Sequence, residues 1–384
     1  MDAIHGHAYI LGRSGTGKST LLASLMARDS SFALLDPHGD LAEQVADASE
    51  PNRTIYFHHS YPLGFNPLEN GDALTASEIV SAFKHVWAES WGPRMEYILY
   101  NALRLLIDND ATLLHLPRVL SDDRYRTQCL KRCTDPFIRY YWETEFETYS
   151  ERFKNEAIAP IQNKVGQFCA NPTIRAVLGQ TTAIKFDDIL GGKTFIANLS
   201  GIGREPSHLL GALFVTAIHQ AAARRVTLPE SERLPFTLYA DEFQNFATDS
   251  FGTILSESRK WGLRLCLANQ YLGQLPLGLQ QAVLGNVGTL VVFRVGSQDA
   301  GILAEELGID NALTLTLTDT ANFAAWMRIT REGVPSSPIR IETTPPRWVR
   351  QGMLAAVISR TRARYARPTE AIEKQVENIF RGRP

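Results

Sequence analysis

Cysteine is scarce in this chain, and long apolar runs are absent from it. The four cysteines among 384 residues are Cys129, Cys133, Cys169 and Cys266, too few for a disulfide framework. Cys129 and Cys133 have the spacing of one helix face, but no second Cys/His pair completes a zinc site. No run approaches the ~20 apolar residues of a membrane-spanning helix, and the N-terminus lacks the basic-then-apolar pattern of a signal segment. We therefore expect a cytoplasmic protein, with any recruitment to the inner membrane made through a partner.

Strong net charge is also missing, which excludes a uniformly basic surface that would bind nucleic acid indiscriminately. The formal net charge is −2. The C-terminal segment differs, because its basic residues outnumber Glu370, Glu373 and Glu377. These basic residues are Arg347, Arg350, Arg360, Arg362, Arg364, Arg367, Lys374, Arg381 and Arg383. Two interpretations stay open for this segment: a solvated helical tail, or an electrostatic contact with nucleic acid or a neighbouring subunit.

One glycine-rich segment carries the clearest chemical signal. It is Gly12-Arg13-Ser14-Gly15-Thr16-Gly17-Lys18-Ser19-Thr20, here called the phosphate loop, and it matches G-x-x-x-x-G-K-[ST] at every fixed position. An apolar strand pattern precedes it and a helix pattern follows, so backbone N–H groups and a helix N-terminus are expected to point at a phosphate chain. We expect Lys18 to bind the β- and γ-phosphates and Ser19 to bind Mg²⁺. The segment predicts a nucleoside triphosphate site for ATP and Mg²⁺.

A second motif supplies the acids that hydrolysis requires. The apolar run 236–240 ends in Asp241 and Glu242. We expect Asp241 to hold the Mg²⁺ shell and Glu242 to orient and deprotonate the attacking water. A strand that ends in acids is weak evidence by itself, but its pairing with an intact phosphate loop predicts a hydrolase.

A third strand pattern, at 263–268, is followed by Asn269 and Gln270. An amide at the tip of a strand beside the catalytic one is placed to hydrogen-bond the γ-phosphate or the lytic water. The alternative is an ordinary loop amide.

The order of elements predicts an α/β fold with a mostly parallel sheet. Strand and helix patterns alternate at the start, whereas helical periodicity alone fills 75–171. Strand patterns resume near residue 194. We therefore expect a discontinuous core of residues 1–74 and 172–345, an all-helical insertion of 75–171, and a basic helical tail of 346–384. The aromatic residues of 137–142 are expected to form the core of the insertion rather than a base-stacking platform.

Several blocks in the same order resemble the FtsK–HerA superfamily of P-loop motor ATPases, and most closely its conjugative coupling proteins of type IV secretion. The blocks lie at 12–20, 35–41, 65–68, 90–96, 159–168, 241–246, 259–260 and 269–270. The resemblance extends over nearly the whole chain. It implies a RecA-like core with an inserted all-helical domain. It does not extend to the membrane segment of coupling proteins or the small N-terminal barrel of HerA-type motors, because this sequence contains neither.

The resemblance also implies roles and partners. Arg259 matches the arginine that the family supplies in trans, and Gln270 matches its γ-phosphate sensor. The implied assembly is a homohexameric ring with ATP sites between subunits and DNA, single- or double-stranded, in the central pore. Two polar loops, 201–208 and 244–250, are candidates for contact with the DNA backbone. A secretion-system component, a relaxase or a nuclease is the kind of further partner that the family suggests.

The function expected from this resemblance is an ATP-driven DNA translocase. Two alternatives stay open. One is a secretion ATPase of the same fold that acts on protein substrates. The other is a ring scaffold ordered by nucleotide for a partner such as a nuclease.

Overall fold

The computed structural model describes residues 6–180, 183–248, 251–310, 314–348 and 350–381. Its ten described strands form one sheet, in the order β10-β8-β7-β1-β6-β5-β2-β4-β3, with β9 paired to β8. The strands are β1 (His7–Leu11), β2 (Phe32–Asp36), β3 (Thr54–Phe57), β4 (Thr194–Asn198), β5 (Phe236–Ala240), β6 (Leu263–Asn269), β7 (Val287–Val292), β8 (Ala324–Arg331), β9 (Val334–Pro335) and β10 (Ile339–Glu342).

Helices make up most of the remaining described chain. The α-helices are α1 (Lys18–Met26), α2 (Asp40–Asp47), α3 (Ala73–Val86), α4 (Pro93–Ile107), α5 (Leu116–Ser121), α6 (Asp123–Leu130), α7 (Pro136–Tyr140), α8 (Phe146–Thr148), α9 (Glu151–Ala170), α10 (Pro172–Leu178), α11 (Phe186–Leu190), α12 (Arg204–Arg224), α13 (Phe251–Glu257), α14 (Leu277–Asn286), α15 (Ser297–Leu307), α16 (Leu315–Thr318), α17 (Leu354–Tyr365) and α18 (Thr369–Arg381). A 3-10 helix, Ser258–Trp261, links α13 to β6. No helix within the described ranges is long and apolar enough to cross a membrane.

Seven strands of the sheet are parallel, as the alternating strand and helix patterns predict. β1 pairs with β6 on one side and with β7 on the other, and the pairs β6–β5, β5–β2, β2–β4 and β4–β3 continue the parallel sheet. Strands β1 to β5 are buried along their whole length. Uniform burial explains why their sequences are continuous apolar runs rather than alternating ones.

The sheet continues past β7 in strands that the sequence analysis did not identify. β8 pairs antiparallel with β7, and both β9 and β10 pair antiparallel with β8. The turn between β8 and β9 is Glu332-Gly333, and both residues have positive φ, 51° and 78°. Two consecutive positive φ angles are the geometry of a tight hairpin turn, which a Glu-Gly pair signals only weakly.

The chain divides into two compact units. The first comprises Met1–His58, Phe186–Ser200 and Ile218–Thr361 and contains the sheet; the second comprises His59–Lys185, Gly201–Ala217 and Arg362–Pro384. These ranges differ from the domain limits expected from the sequence. Those limits therefore stay a prediction. Residues 75–171 contain only helices and turns.

Aromatic side chains form much of the core of the second unit. Tyr141, Trp142 and Phe146 are fully buried, and the Trp142 and Phe146 rings lie 4.7 Å apart. Two aromatic residues of the segment 137–142 do not share this role, since Phe137 and Tyr140 are exposed. All four cysteines are buried free thiols.

Several basic residues of the C-terminal segment have intramolecular partners. Arg350 pairs with Glu50 at 3.5 Å in the first unit. In the second unit, Arg381 pairs with Glu377 at 2.5 Å, and Arg367 donates to Gln375 at 2.7 Å. Intramolecular contacts within each unit therefore engage part of the basic charge of the segment. Both interpretations of the segment given above stay open.

Candidate nucleotide-binding and hydrolysis site

The parallel sheet brings the predicted site residues to one edge. The carboxyl ends of β1, β5 and β6 lie at the same edge because these strands are parallel and adjacent in the order β1-β6-β5. The phosphate loop follows β1, Asp241 follows β5, and Gln270 follows β6. Ligand sites of open α/β sheets lie at this edge.

The phosphate loop is a tight turn that ends at the N-terminus of α1. Gly17 is the N-cap of this helix and has φ 116°, a conformation that residues with a Cβ rarely adopt. The Arg13 N–H donates to Arg294 O at 2.9 Å, and Thr16 Oγ1 donates to Arg13 O at 2.7 Å. The first bond fixes the loop against the segment that follows β7, and the second closes the loop on itself.

Lys18 lies inside the loop. Its Nζ donates to Gly12 O at 2.6 Å and to Arg13 O at 3.3 Å, and the residue is buried. Burial lowers the pKa of Lys18, while the charges of Glu242 and Asp241 oppose that shift. The loop carbonyls therefore hold the Lys18 ammonium group inside the loop, where it can bind an oxygen of a bound phosphate.

Ser19 and Asp241 form the candidate Mg²⁺ site. Ser19 Oγ donates to Asp241 Oδ2 at 3.4 Å, and a hydroxyl beside a carboxylate is a donor set that Mg²⁺ accepts together with phosphate oxygens. Burial raises the pKa of Asp241 to about 6, and the nearby carboxylates of Asp36 and Glu242 add to the shift. A cation bound here would relieve this repulsion.

Asp36 belongs to this cluster, although the sequence analysis gave it no site role. Its Oδ1 accepts the His38 N–H and its Oδ2 accepts the Ala42 N–H, both at 2.9 Å. These bonds hold the N-terminus of α2 against the end of β2. The position of Asp36 could have indicated this role, because Asp36 ends β2, the strand that pairs with β5.

Two amides hold Glu242 in place. Gln270 Nε2 donates to Glu242 Oε1 at 3.0 Å, and Gln244 Nε2 donates to Glu242 Oε2 at 2.7 Å. Glu242 itself has φ 48°, a left-handed conformation that is uncommon for a non-glycine residue. Gln244 was predicted only as part of a DNA-contact loop, and its position two residues after Glu242 was the signal for this second role.

Arg259 lies at the opposite edge of the sheet. It belongs to the 3-10 helix that precedes β6, and its Nη1 lies 3.9 Å from the Cβ position built on Gly6, next to the start of β1. β1 comprises five residues, so roughly 13 Å separates its two ends. Arg259 is exposed, and no carboxylate of the described chain forms an ion pair with it. The structure therefore does not bring Arg259 to the phosphate loop of its own chain.

The two loops considered for DNA contact lie after β4 and after β5. Within 201–208, Gly201 and Gly203 have φ of 76° and 92°, and α12 begins at Arg204. Within 244–250, residues 244–248 follow the acidic pair, while Asp249 and Ser250 lie outside the described residues. DNA contact by either loop stays a prediction.

Comparison with known proteins identifies the fold. No family model matches the sequence, and no curated protein matches it. The chain is similar to the unbound bacterial conjugative coupling protein TrwBdeltaN70, with a TM-score of 0.66 at 15% identity over 90% of this chain and 85% of that chain. It is also similar to the plasmid coupling protein TrwB in complex with ADP and Mg²⁺, with a TM-score of 0.64 at 15% identity, 90% and 86% coverage.

The third structure is VirB4 of Thermoanaerobacter pseudethanolicus, with a TM-score of 0.58 at 14% identity over 88% of this chain and 89% of that chain. This chain has the RecA-like P-loop ATPase fold. The resemblance to FtsK–HerA-type ATPases is therefore confirmed as a likeness of fold. At these identities, the likeness extends to the fold alone.

Proposed function

We propose that this chain is an ATP-hydrolysing motor that translocates DNA, of the conjugative coupling-protein type. The observation that carries the proposal is the convergence of Lys18, Ser19, Asp241, Glu242 and Gln270 at one edge of the sheet. A site that only binds nucleotide needs Lys18. The two acids and the amide that holds Glu242 are the parts that hydrolysis adds.

Each residue has a distinct task in this proposal. Lys18 and the loop N–H groups bind the phosphate chain, and Ser19 with Asp241 would hold Mg²⁺, which neutralises charge on the β- and γ-phosphates. Glu242 accepts a proton from the attacking water. Gln270 and Gln244 fix the carboxylate of Glu242, so that little reorganisation precedes proton transfer.

Arg259 completes the site from a second copy of the chain. Its exposed position at the edge opposite the phosphate loop argues against action on its own nucleotide and suits action on a neighbour's. An arginine supplied in trans stabilises charge on the transferring phosphoryl group and is worth roughly 10³ to 10⁵ in rate in related systems. We therefore propose a homohexameric ring with its ATP sites between subunits.

The similar proteins support nucleotide chemistry and conjugation as the setting. TrwB is described as a conjugative coupling protein and has been solved with ADP and Mg²⁺ and with non-hydrolysable GTP and ATP analogues. From these structures we transfer only the nucleotide and Mg²⁺ to this chain, and we propose DNA as the substrate on the sequence resemblance to coupling proteins. The loops 201–208 and 244–250 are the proposed DNA contacts, acting on the phosphate backbone without base recognition.

The test is steady-state hydrolysis of Mg-ATP with no DNA, with single-stranded DNA and with double-stranded DNA, at low salt because phosphate contacts weaken as salt rises. We expect at least one DNA to stimulate hydrolysis. Lys18→Ala is the matched control, and it should abolish hydrolysis with every DNA. Hydrolysis that ignores both DNAs would favour a motor for protein substrates, and ATP binding without hydrolysis would favour a ring scaffold.

A further inference from the structure

Phe323 presents an exposed aromatic ring directly on the phosphate loop. The residue is 48% exposed. Its Cδ1 lies 3.1 Å from the position that a Cβ would take on Gly17, the N-cap of α1. Large exposed aromatic side chains are ordinary when scattered singly on a surface. The ring of Phe323 borders the phosphate loop, so it is accessible to a ligand bound at that loop.

The backbone fixes Phe323 in this place. Its N–H donates to Thr16 O at 2.7 Å, which ties it to the phosphate loop. On the other side, Thr343 donates to Phe323 O twice, from its N–H at 2.7 Å and from its Oγ1 at 3.1 Å. Phe323 is therefore attached to the phosphate loop on one side and to Thr343 on the other.

The conformation of Phe323 is unusual for its side chain. Its φ is 64°, in the left-handed region where bulky residues are genuine outliers. The hydrogen bonds with Thr16 and Thr343 maintain this conformation. Strained residues that are held in this way cluster at ligand sites, and here the strained residue carries an exposed ring beside the candidate nucleotide site.

The sheet order determines which end of a nucleotide faces Phe323. Asp241, Glu242 and Gln270 follow β5 and β6, which lie on one side of β1. Phe323 immediately precedes β8, which lies on the other side of β1, beyond β7. Because β8 is antiparallel to β7, its start lies at the edge where β7 ends. The γ-phosphate must face the acids and Gln270, so the nucleoside leaves the loop toward the β7–β8 side.

We propose that the ring of Phe323 is the platform on which the base of the bound nucleoside triphosphate stacks. This inference rests on the proposed function, because it needs the γ-phosphate to face Glu242. Every nucleobase has an aromatic face, and stacking on an aromatic side chain requires no particular hydrogen-bonding edge. Phe323 therefore contributes affinity for the nucleoside half, whereas Lys18 and the loop contribute affinity for the phosphates.

The test compares two probes on the same variants. One is Mg-ATP, and the other is inorganic tripolyphosphate with Mg²⁺, which has the phosphates but no base. In Phe323→Ala we expect the Kd for ATP to rise about tenfold, which corresponds to 1.4 kcal/mol, within the range for base–aromatic stacking. The Kd for tripolyphosphate should stay unchanged, because the loop keeps its hydrogen bonds.

Three further variants complete the experiment. Phe323→Asn removes the ring with a residue that tolerates the left-handed conformation, so it should behave as Phe323→Ala does. Phe323→Trp keeps an aromatic face and should retain ATP affinity. Phe137→Ala is the matched control, because Phe137 is a 57% exposed phenylalanine of the second unit. It should leave both Kd values unchanged.

Two outcomes would overturn the proposal while leaving the proposed function intact. The first is an ATP affinity that does not change in Phe323→Ala and Phe323→Asn. The second is an equal loss of ATP and tripolyphosphate in both variants, which would show that Phe323 only supports the loop. A wild-type chain that binds neither probe would instead overturn the proposed function, and this inference with it.

Discussion

Gln270 Nε2 donates a hydrogen bond to Glu242 Oε1 at 3.0 Å, across the ends of the neighbouring strands β6 and β5. The bond joins the residue proposed as γ-phosphate sensor to the residue proposed as general base. A rearrangement of either side chain would therefore alter the other. Under the proposed function, this bond would link the state of the nucleotide to the position of the Glu242 carboxylate.

Replacement of Gln270 should lower turnover more than it lowers ATP affinity. In Gln270→Ala we expect kcat to fall by a factor on the order of 10², with little change in KM, because the phosphate loop is untouched. Gln244→Ala is the matched comparison, since Gln244 also donates to Glu242 but follows β5 itself. Gln244→Ala should lose less activity, because only Gln270 has a proposed contact with the γ-phosphate. In steady-state kinetics, equal losses of kcat in the two variants would contradict that γ-phosphate role, and a change in KM alone would contradict a role of Gln270 in turnover.

Glu242→Gln should separate binding from hydrolysis. The amide keeps the size of the side chain but accepts a proton poorly, so we expect kcat to fall roughly 10²- to 10⁴-fold. The Kd for ATP should be retained, and ATP should remain uncleaved on the protein. Equilibrium binding and single-turnover hydrolysis measure the two effects. A variant that hydrolyses ATP at the wild-type rate would exclude Glu242 as the base.

Arg259 should act on a neighbour's nucleotide. Arg259→Ala is expected to lose roughly 10³- to 10⁵-fold in kcat, whereas Lys260→Ala, which removes an adjacent cation paired with Glu257, should lose little. A mixture of Arg259→Ala and Lys18→Ala chains should recover part of the activity. In mixed assemblies, the intact arginine of the Lys18→Ala chain can then reach the intact phosphate loop of its neighbour.

The same mixing experiment can contradict the proposal that Arg259 acts in trans. If Arg259→Ala is inactive alone and no mixing ratio restores hydrolysis, Arg259 acts within its own chain or supports the fold. Circular dichroism and thermal unfolding of each variant distinguish these two explanations.

His7 should make the protein sensitive to acid. It is buried and accepts the Leu265 N–H at its Nδ1 at 3.0 Å. Burial lowers its pKa from 6.5 to about 4, and the charges of Arg259 and Arg264 also lower it. Because the folded pKa lies below the unfolded one, the contribution to stability is complete above pH 6.5 and is lost as the pH falls toward 4.

The corresponding variant is His7→Asn, whose Oδ1 can accept the same N–H. Between pH 7 and pH 5 we expect the wild type to lose about 2 kcal/mol more unfolding free energy than the variant. Denaturant unfolding at the two pH values measures the difference. Equal losses in both proteins would show that His7 titrates normally in the folded state.

Most of the first unit could be predicted from sequence because its elements have strong local signals. The strands β1, β2 and β5 are buried along their whole length and appear as apolar runs, and β6 is buried except at Arg264. The phosphate loop and the acidic pair have fixed spacings, and the parallel sheet brings them together. The prediction of an α/β fold with a mostly parallel sheet is confirmed.

The features that could not be predicted depend on contacts between residues that are far apart in the sequence. β8 is mostly half-buried and β10 is mostly exposed, so both lack the apolar runs that identify buried strands. The sequence around Phe323 carries no such signal, because the proposed role depends on the antiparallel pairing that places the start of β8 beside the phosphate loop. Gln244 and Asp36 likewise acquire their roles only when a turn or a neighbouring strand brings them to the acidic pair.

The central claim, movement along DNA driven by ATP hydrolysis, is tested most directly by displacement of streptavidin from biotinylated DNA. The assay uses single- and double-stranded substrates, each labelled at one end, with wild type and Glu242→Gln. The account predicts ATP-dependent displacement from at least one substrate by the wild type, and none by the variant or with a non-hydrolysable analogue. A wild type that hydrolyses ATP yet displaces streptavidin from neither DNA would contradict it.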